Sequence, residues 1–169
     1  AHYRKITTAG EYEITPGGEL KPFDTPLGRI GLLLCSDRGW DNVRTLALQG
    51  AGTIFIPMDG SGGPENTEKM CWRARDNGCW IAIANTWSAV LIKPTGEVNL
   101  AKYETECVSV QVLPLPHENR VSHNKRRPDL LEPLTRTPPD GFYDEDGKLT
   151  DTALARREED RENAKRRSR

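Results

Sequence analysis

"GLLLCSDRGWDN", Gly31 to Asn42, sets an apolar run and a cysteine directly against Ser-Asp-Arg-Gly. The run shows no alternation, so it reads as a strand buried on both faces. Beyond the polar turn, "WDNVRTLALQGAG" repeats Val43, Leu46, Ala47 and Gly50 at helical spacing, with Gly50 placed as the stop. The stretch is a strand–turn–helix junction with Cys35 at the turn. Two readings of that thiol stand side by side. Free cysteine is commonly buried as a small hydrophobe. Alternatively, the thiol is held at the tip of a strand for chemistry. Ligands of α/β sheets gather at the carboxyl ends of strands, and the start of the following helix favours a thiolate and a developing oxyanion.

On the upstream side, "KPFDT" and "RIGLLLC" flank the turn signal "PLG", which predicts a hairpin. On the downstream side, "TIFIP" and "WIAIAN" read as further buried strands. Between them "PENTEKMCWRARDNG" predicts a helix, with Pro64 suited to its first turn and Gly78 to its end. Then "SAVLI", the turn "KPTGE", "VNLA" and "CVSVQVL" read as consecutive antiparallel strands. Strand–helix–strand–helix–strand followed by a meander predicts an α/β (α+β) architecture, a mixed sheet with two helices on one face.

The chain of 169 residues can bury one sizeable core. Its 24 basic and 25 acidic residues nearly cancel, so overall charge gives no reason to expect a nucleic-acid or membrane partner. No apolar run is long enough for a membrane span, and no signal-peptide pattern opens the sequence. The four cysteines, Cys35, Cys71, Cys79 and Cys107, form no C-x-x-C pair, and no metal-ligand or cofactor motif is present. Thiols in apolar segments without a secretory signal favour a reducing, cytoplasmic location. Cys71, Cys79 and Cys107 read as packing residues. His2, His117 and His123 all lie outside the α/β segments, so a base for Cys35 is expected to be a carboxylate or a lysine. Beyond His117 the sequence turns polar, with a small apolar patch at Leu130, Leu131 and Leu134. It ends in the charged run "LTDTALARREEDRENAKRRSR", a solvated helix or mobile tail in which Thr150 or Asp151 is suited to cap.

The segments "YRKITT", "GEYEITPGGELKPFDTPLGRIGLLLCSD", "RTLALQGAGTIFIP", "RARDNGCWIAIAN", "KPTGEV" and "RRPDLL" occur in an order and spacing that resemble the nitrilase superfamily, the carbon–nitrogen hydrolases. The likeness runs from Tyr3 to Leu131, dividing the chain into a hydrolase domain at 1–131 and a tail at 132–169. It implies part of an α-β-β-α sandwich and a Glu-Lys-Cys triad. Cys35 takes the place of the nucleophile and Lys5 that of the oxyanion stabiliser. Glu11, or failing it Glu13, takes that of a second carboxylate, and the N–H of Ser36 would complete the oxyanion site. Asp37, Arg38 and Trp87 fall among the residues around substrate. The resemblance implies no metal or cofactor, a small-molecule amide or carbamoyl substrate, and a homo-oligomer. Without it, Lys5, Glu11 and Glu13 read as solvated charges.

The match also departs from the family. The family's general-base glutamate lies well upstream of the lysine motif, whereas Lys5 follows Ala1 by four positions. The expectation is a C-terminal portion of a longer hydrolase, or a truncated relative, inactive alone. Its apolar sheet face would be covered by the missing N-terminal half or a second copy. The glycine-rich loop expected after "IAIAN" is shortened in "NTWSAVLI", leaving Ser88 near the family serine and Trp87 beside the space. In "CSDRGWDN", Trp40 and Asp41 stand where many members carry an aromatic and Pro-Glu. Cys-x-Asp-Arg followed by Trp points to amides or N-carbamoyl compounds rather than nitriles. The expected function is hydrolysis of non-peptide carbon–nitrogen bonds through a cysteine thioester. The alternative is a non-catalytic relative kept for assembly or partner binding.

Overall fold

The computed structural model describes residues 2–8, 11, 13–26, 28–60, 63–86, 88–103, 108 and 110–113, with the separate positions 151, 155, 158 and 162. Strands β1 (Phe23–Thr25) and β2 (Gly28–Leu32) form the hairpin that the Pro-Leu-Gly signal predicts. A short 3-10 turn, Cys35–Arg38, then leads into α1 (Trp40–Leu48). β3 (Thr53–Met58), α2 (Pro64–Asn77) and β4 (Trp80–Asn85) follow. β5 (Ser88–Ile92) and β6 (Val98–Tyr103) complete a six-stranded sheet whose strands lie in chain order. β2, β3 and β4 are parallel to one another, and the remaining pairs are antiparallel. The helix punctuation acts as the sequence implies. Pro64 opens α2, where a missing N–H costs nothing, and Gly78 closes it at φ +61°. α1 stops at Leu48, and Gly50 turns the chain at φ +93°.

The strand period of two sorts side chains onto two faces. Ile54, Ile56 and Met58 of β3, Ile81 and Ile83 of β4, and Val90 and Ile92 of β5 project onto the helices. They bury themselves against Val43, Leu46 and Ala47 of α1 and Met70 and Ala74 of α2. Gly31 lets α1 close on β2: a Cβ there would lie 2.9 Å from Leu46 Cδ1 and 3.2 Å from Ile54 Cγ1.

The opposite face carries a row in register across five strands: Leu32, Phe55, Ala82, Leu91 and Leu100. Among the described residues no helix packs on it, and Phe55 is 37% exposed. This corrects the reading of "GLLLC" and "TIFIP" as strands buried on both faces. Gly31 and Leu33 are buried, but Leu32 and Leu34 are only partly so, and Phe55 and Pro57 are exposed. These side chains point to the face on which no helix packs among the described residues.

"CVSVQVL" also departs from expectation. Val108, Val110 and Val112 belong to no strand and are almost fully exposed. β6 is "VNLAKY", on the strand read at "VNLA", and its ladder ends where Tyr103 meets Ser88, the first residue of β5. In the final segment, Asp151, Ala155, Glu158 and Glu162 are helical and exposed. Thr150 and the patch at Leu130, Leu131 and Leu134 lie outside the described residues. No helix among the described residues is long and apolar enough to cross a membrane.

Candidate active site

The turn after β2 is built around an unusual backbone conformation. Leu34 is extended, at φ −114° and ψ 114°, and Cys35 then flips to φ +48°. A side chain in this left-handed region costs on the order of 1–3 kcal/mol, so the surrounding structure must hold it there. The reversal lifts the thiol out of the strand line at the carboxyl edge of the sheet. Cys35 is half-buried and rests on the rim of the core, with Sγ 3.7 Å from the carbonyl oxygen of Asp59. Asp59 follows β3 at the same edge. Its carboxylate accepts hydrogen bonds from the Thr86 hydroxyl (2.6 Å) and the Gly60 N–H (2.9 Å). Those two bonds, Thr86 first, hold its pKa below the usual aspartate value. The Asn85 amide donates to the Gly60 carbonyl at 3.0 Å, tying the ends of β3 and β4 together.

Asp37 fastens the N-terminal segment to this turn. It is fully buried. One carboxylate oxygen accepts from the N–H of Thr7 at 2.6 Å and of Ile6 at 3.2 Å. The other accepts from the Tyr3 hydroxyl at 2.7 Å and the Leu34 N–H at 3.3 Å. Buried carboxylates are tolerated only with such partners, and charge-assisted bonds are the stronger kind. Burial first, then the hydrogen bond to Asp37 and its charge, push the Tyr3 phenol well above its ordinary range. The Ser36 hydroxyl adds a 2.6 Å bond to the Thr7 carbonyl. Residues 3–7 and 34–37 are thereby laced into one unit.

Lys5 lies in that laced segment. Its side chain is 9% exposed, and its ammonium pairs with the Glu11 carboxylate. On the other side, the Gly17 N–H donates to the Lys5 carbonyl at 2.7 Å. Gly17 sits so close that a Cβ there would fall 2.5 Å from the Arg4 carbonyl oxygen. Glu13 is exposed in a turn. Arg38 folds back over the turn, donating to the Cys35 carbonyl and to Asn66 Oδ1, each at 3.0 Å. Trp87 lies outside the described residues, while its neighbour Ser88 is buried at the start of β5.

The structure thus brings Lys5 to Glu11, and Ser36, Asp37 and Arg38 to the turn that bears Cys35. Cys71 and Cys79 sit in different surroundings. Burial raises both thiols, Cys79 to about 12, which disfavours the nucleophilic thiolate. Cys107 lies outside the described residues. Tyr3, Asp59 and Asn66 escaped the sequence reading. Asp59 carried a usable signal, because it follows an apolar strand as Cys35 does. Nothing local marked Tyr3 or Asn66.

Comparison with known proteins bears on what this edge is for. Residues 1–116 match the carbon-nitrogen hydrolase family. Among solved structures, the NitN amidase from Nesterenkonia sp. AN1 is 24% identical and has a TM-score of 0.65, the match covering 79% of this chain and 58% of the amidase. Nit3 of Saccharomyces cerevisiae, in branch 10 of the nitrilase superfamily, is 20% identical with a TM-score of 0.56, over 62% of this chain and 44% of its own. A carbon-nitrogen hydrolase from Helicobacter pylori G27 is 20% identical with a TM-score of 0.53, over 62% of this chain and 48% of its own. The chain spans about half the length of these structures. No curated protein matches it. The mixed sheet with its two helices is the fold of these neighbours, and the family match runs through every strand of it: the chain belongs to the carbon-nitrogen hydrolases of the nitrilase superfamily.

Proposed function

We infer that this chain carries the nucleophile and the oxyanion-stabilising residues of an amidase-type hydrolase acting on non-peptide carbon–nitrogen bonds of amides or N-carbamoyl compounds. The observation that carries the reading is the left-handed Cys35 at the sheet edge, laced through Asp37 to the segment bearing the Lys5–Glu11 pair. The Cys35 sulfur, as thiolate, attacks the amide carbon and forms a carbon–sulfur bond while the carbonyl electron pair moves to oxygen. The Lys5 ammonium and the Ser36 N–H offset that charge; one such donor is worth about 3 kcal/mol in the transition state. Collapse expels the amine, which leaves with the proton the thiol gave up, and water then cleaves the thioester to the acid. Glu11 holds the Lys5 ammonium in place. A carboxylate is the fitting proton acceptor for the thiol.

The Nesterenkonia amidase, a protein of the same fold, has been captured as a glutamate-to-glutamine mutant with acrylamide added at its active-site cysteine and as a cysteine-to-alanine mutant with butyramide. Both compounds serve as probes here. Acrylamide should add to Cys35 well before Cys71 or Cys79, read by peptide mass spectrometry; equal labelling of these cysteines overturns the assignment. Ammonia release from butyramide that Cys35→Ala abolishes would show that the proton acceptor lies within the chain. We further infer that the open sheet face is covered by additional polypeptide or a second copy. A reducing, cytoplasmic setting suits the thiol. The second reading, a fold retained for assembly, draws on the same apolar face and predicts an unreactive Cys35.

A further inference from the structure

The Cys35 thiol meets the end of the neighbouring strand at a contact that the attack on an amide leaves unused. Sγ lies 3.7 Å from the main-chain carbonyl oxygen of Asp59, within reach of a weak S–H donor. Asp59 stands one position past the β3–β4 ladder, whose last pair is Met58 with Asn85, so pairing does not aim its carbonyl. Its side chain does. A single carboxylate oxygen, Oδ1, accepts both from the Thr86 hydroxyl and from the Gly60 N–H. That N–H and the carbonyl facing the thiol belong to the same planar peptide, so fixing one aims the other. Thr86 is a stiff place to tie to. Only two residues join β4 to β5, with Asn85 paired to Ser88 across the turn. Asn85 secures the far side through its bond to the Gly60 carbonyl.

We propose that Asp59 is a positioning residue for the nucleophile: its tie to Thr86 aims its main-chain carbonyl, and that carbonyl docks the Cys35 thiol. The proposal deepens the amidase reading and rests on it. A cysteine side chain has three staggered wells, and an acceptor on the adjacent strand selects among them. A sulfur already aimed is spared the search for its attacking geometry. The bond also acts as a catch. A carbonyl can only accept, so it favours the protonated thiol; once the proton leaves, its lone pairs face a negative sulfur and release it.

The test uses the full chain and four variants. Thr86→Val removes the hydroxyl at nearly constant shape, and Thr86→Ser keeps it. Asp59→Ala removes the Oδ1 acceptor, whereas Asp59→Asn keeps an oxygen there without the charge. The infrared S–H stretch of Cys35, assigned by difference from Cys35→Ser, reports the hydrogen bond. It should move to higher frequency in Thr86→Val and Asp59→Ala and stay in place in Thr86→Ser and Asp59→Asn. In parallel, alkylation of Cys35 by iodoacetamide is followed against pH at about 0.5 M salt, which screens the exposed Asp59 charge. Thr86→Val and Asp59→Ala should react about twofold faster on the acid limb, the effect of one weak hydrogen bond, with the alkaline plateau unchanged. Thr86→Ser and Asp59→Asn should overlay the parent. The substitutions alter none of the other titratable groups laced around the turn, Tyr3, Lys5, Glu11, Asp37 and Arg38. An unmoved stretch in both Thr86→Val and Asp59→Ala overturns the docking. A rate changed equally at every pH, as altered access would give, also overturns it. Asp59→Asn behaving as Asp59→Ala assigns the effect to charge and overturns the tie. The amidase reading fails separately. It falls if acrylamide labels Cys35 no sooner than Cys71 or Cys79 in the parent chain, and the catalytic purpose of the docking falls with it; it stands if Cys35 leads while the stretch is unmoved.

Discussion

Replacing Asp37 by asparagine tests whether the Lys5 segment and the Cys35 turn are one mechanical unit. The carboxylate serves four donors: Thr7 and Ile6 on one oxygen, Tyr3 and Leu34 on the other. Asparagine keeps one oxygen and puts an NH2 group where the second stood. If the oxygen stays with Thr7 and Ile6, the NH2 meets the Leu34 N–H, donor against donor, and the Tyr3 hydroxyl must turn to accept. One buried N–H loses its acceptor, at about 2 kcal/mol. The surviving bonds lose their charge assistance, about 1 kcal/mol more. A total of about 3 kcal/mol, at a urea m-value of about 2 kcal/mol/M, lowers the unfolding midpoint by about 1.5 M. Asp37→Ala leaves more donors unserved and should cost more. A second readout is optical. Tyr3, identified by difference from Tyr3→Phe, should titrate at lower pH in Asp37→Asn, because the hydrogen bond and the charge that help raise it are gone. A midpoint shifted by less than about 0.3 M, with an unchanged Tyr3 titration, would refute the reasoning.

Three further outcomes follow from the same geometry. The folded chain keeps the Tyr3 proton above pH 10.0, where the unfolded phenol releases it, so stability should be complete below that pH and fall as pH rises beyond it; equilibrium unfolding of Tyr3→Phe across the alkaline range should remove that component of the slope. Gly17→Ala should destabilise by about 2 kcal/mol and slow alkylation at Cys35, because its Cβ would strike backbone that carries Lys5, whereas Gly18→Ala meets nothing within 4 Å and should leave both unchanged. Cys35→Gly should be more stable than Cys35→Ala by about 1 kcal/mol in urea, since glycine accepts φ +48° without strain.

Much of the sheet could be read directly because its signals are local. The Pro-Leu-Gly hairpin, Pro64 and Gly78 around α2, and the strands "WIAIAN" and "SAVLI" all depend on neighbours a few residues away. The misreadings share a cause. "CVSVQVL" has the composition of a strand, but a strand needs an edge to pair with, and β6 stops pairing at the start of β5. "GLLLC" is apolar on both sides, yet Leu32 faces a sheet surface that the described residues leave partly open. At the candidate site, the position of Cys35 was legible and its backbone reversal was not, because nothing in the residue's identity announces a positive φ. Asp37 was visible as a neighbour of the cysteine. Its role as an anchor for residues 3–7 was hidden, since those partners lie some thirty positions away in sequence.

The order of the strands has a consequence for how the protein is made. Every strand lies beside the one that precedes it in the sequence, from β1 to β6. During synthesis, each strand leaving the ribosome therefore meets a partner already in place, with only a tight turn or a single helix between them. Local pairing of this kind shortens the search and favours rapid assembly. At each stage the margin beside the newest strand is the one that the next strand to emerge seals, which limits the time available for that margin to recruit another chain.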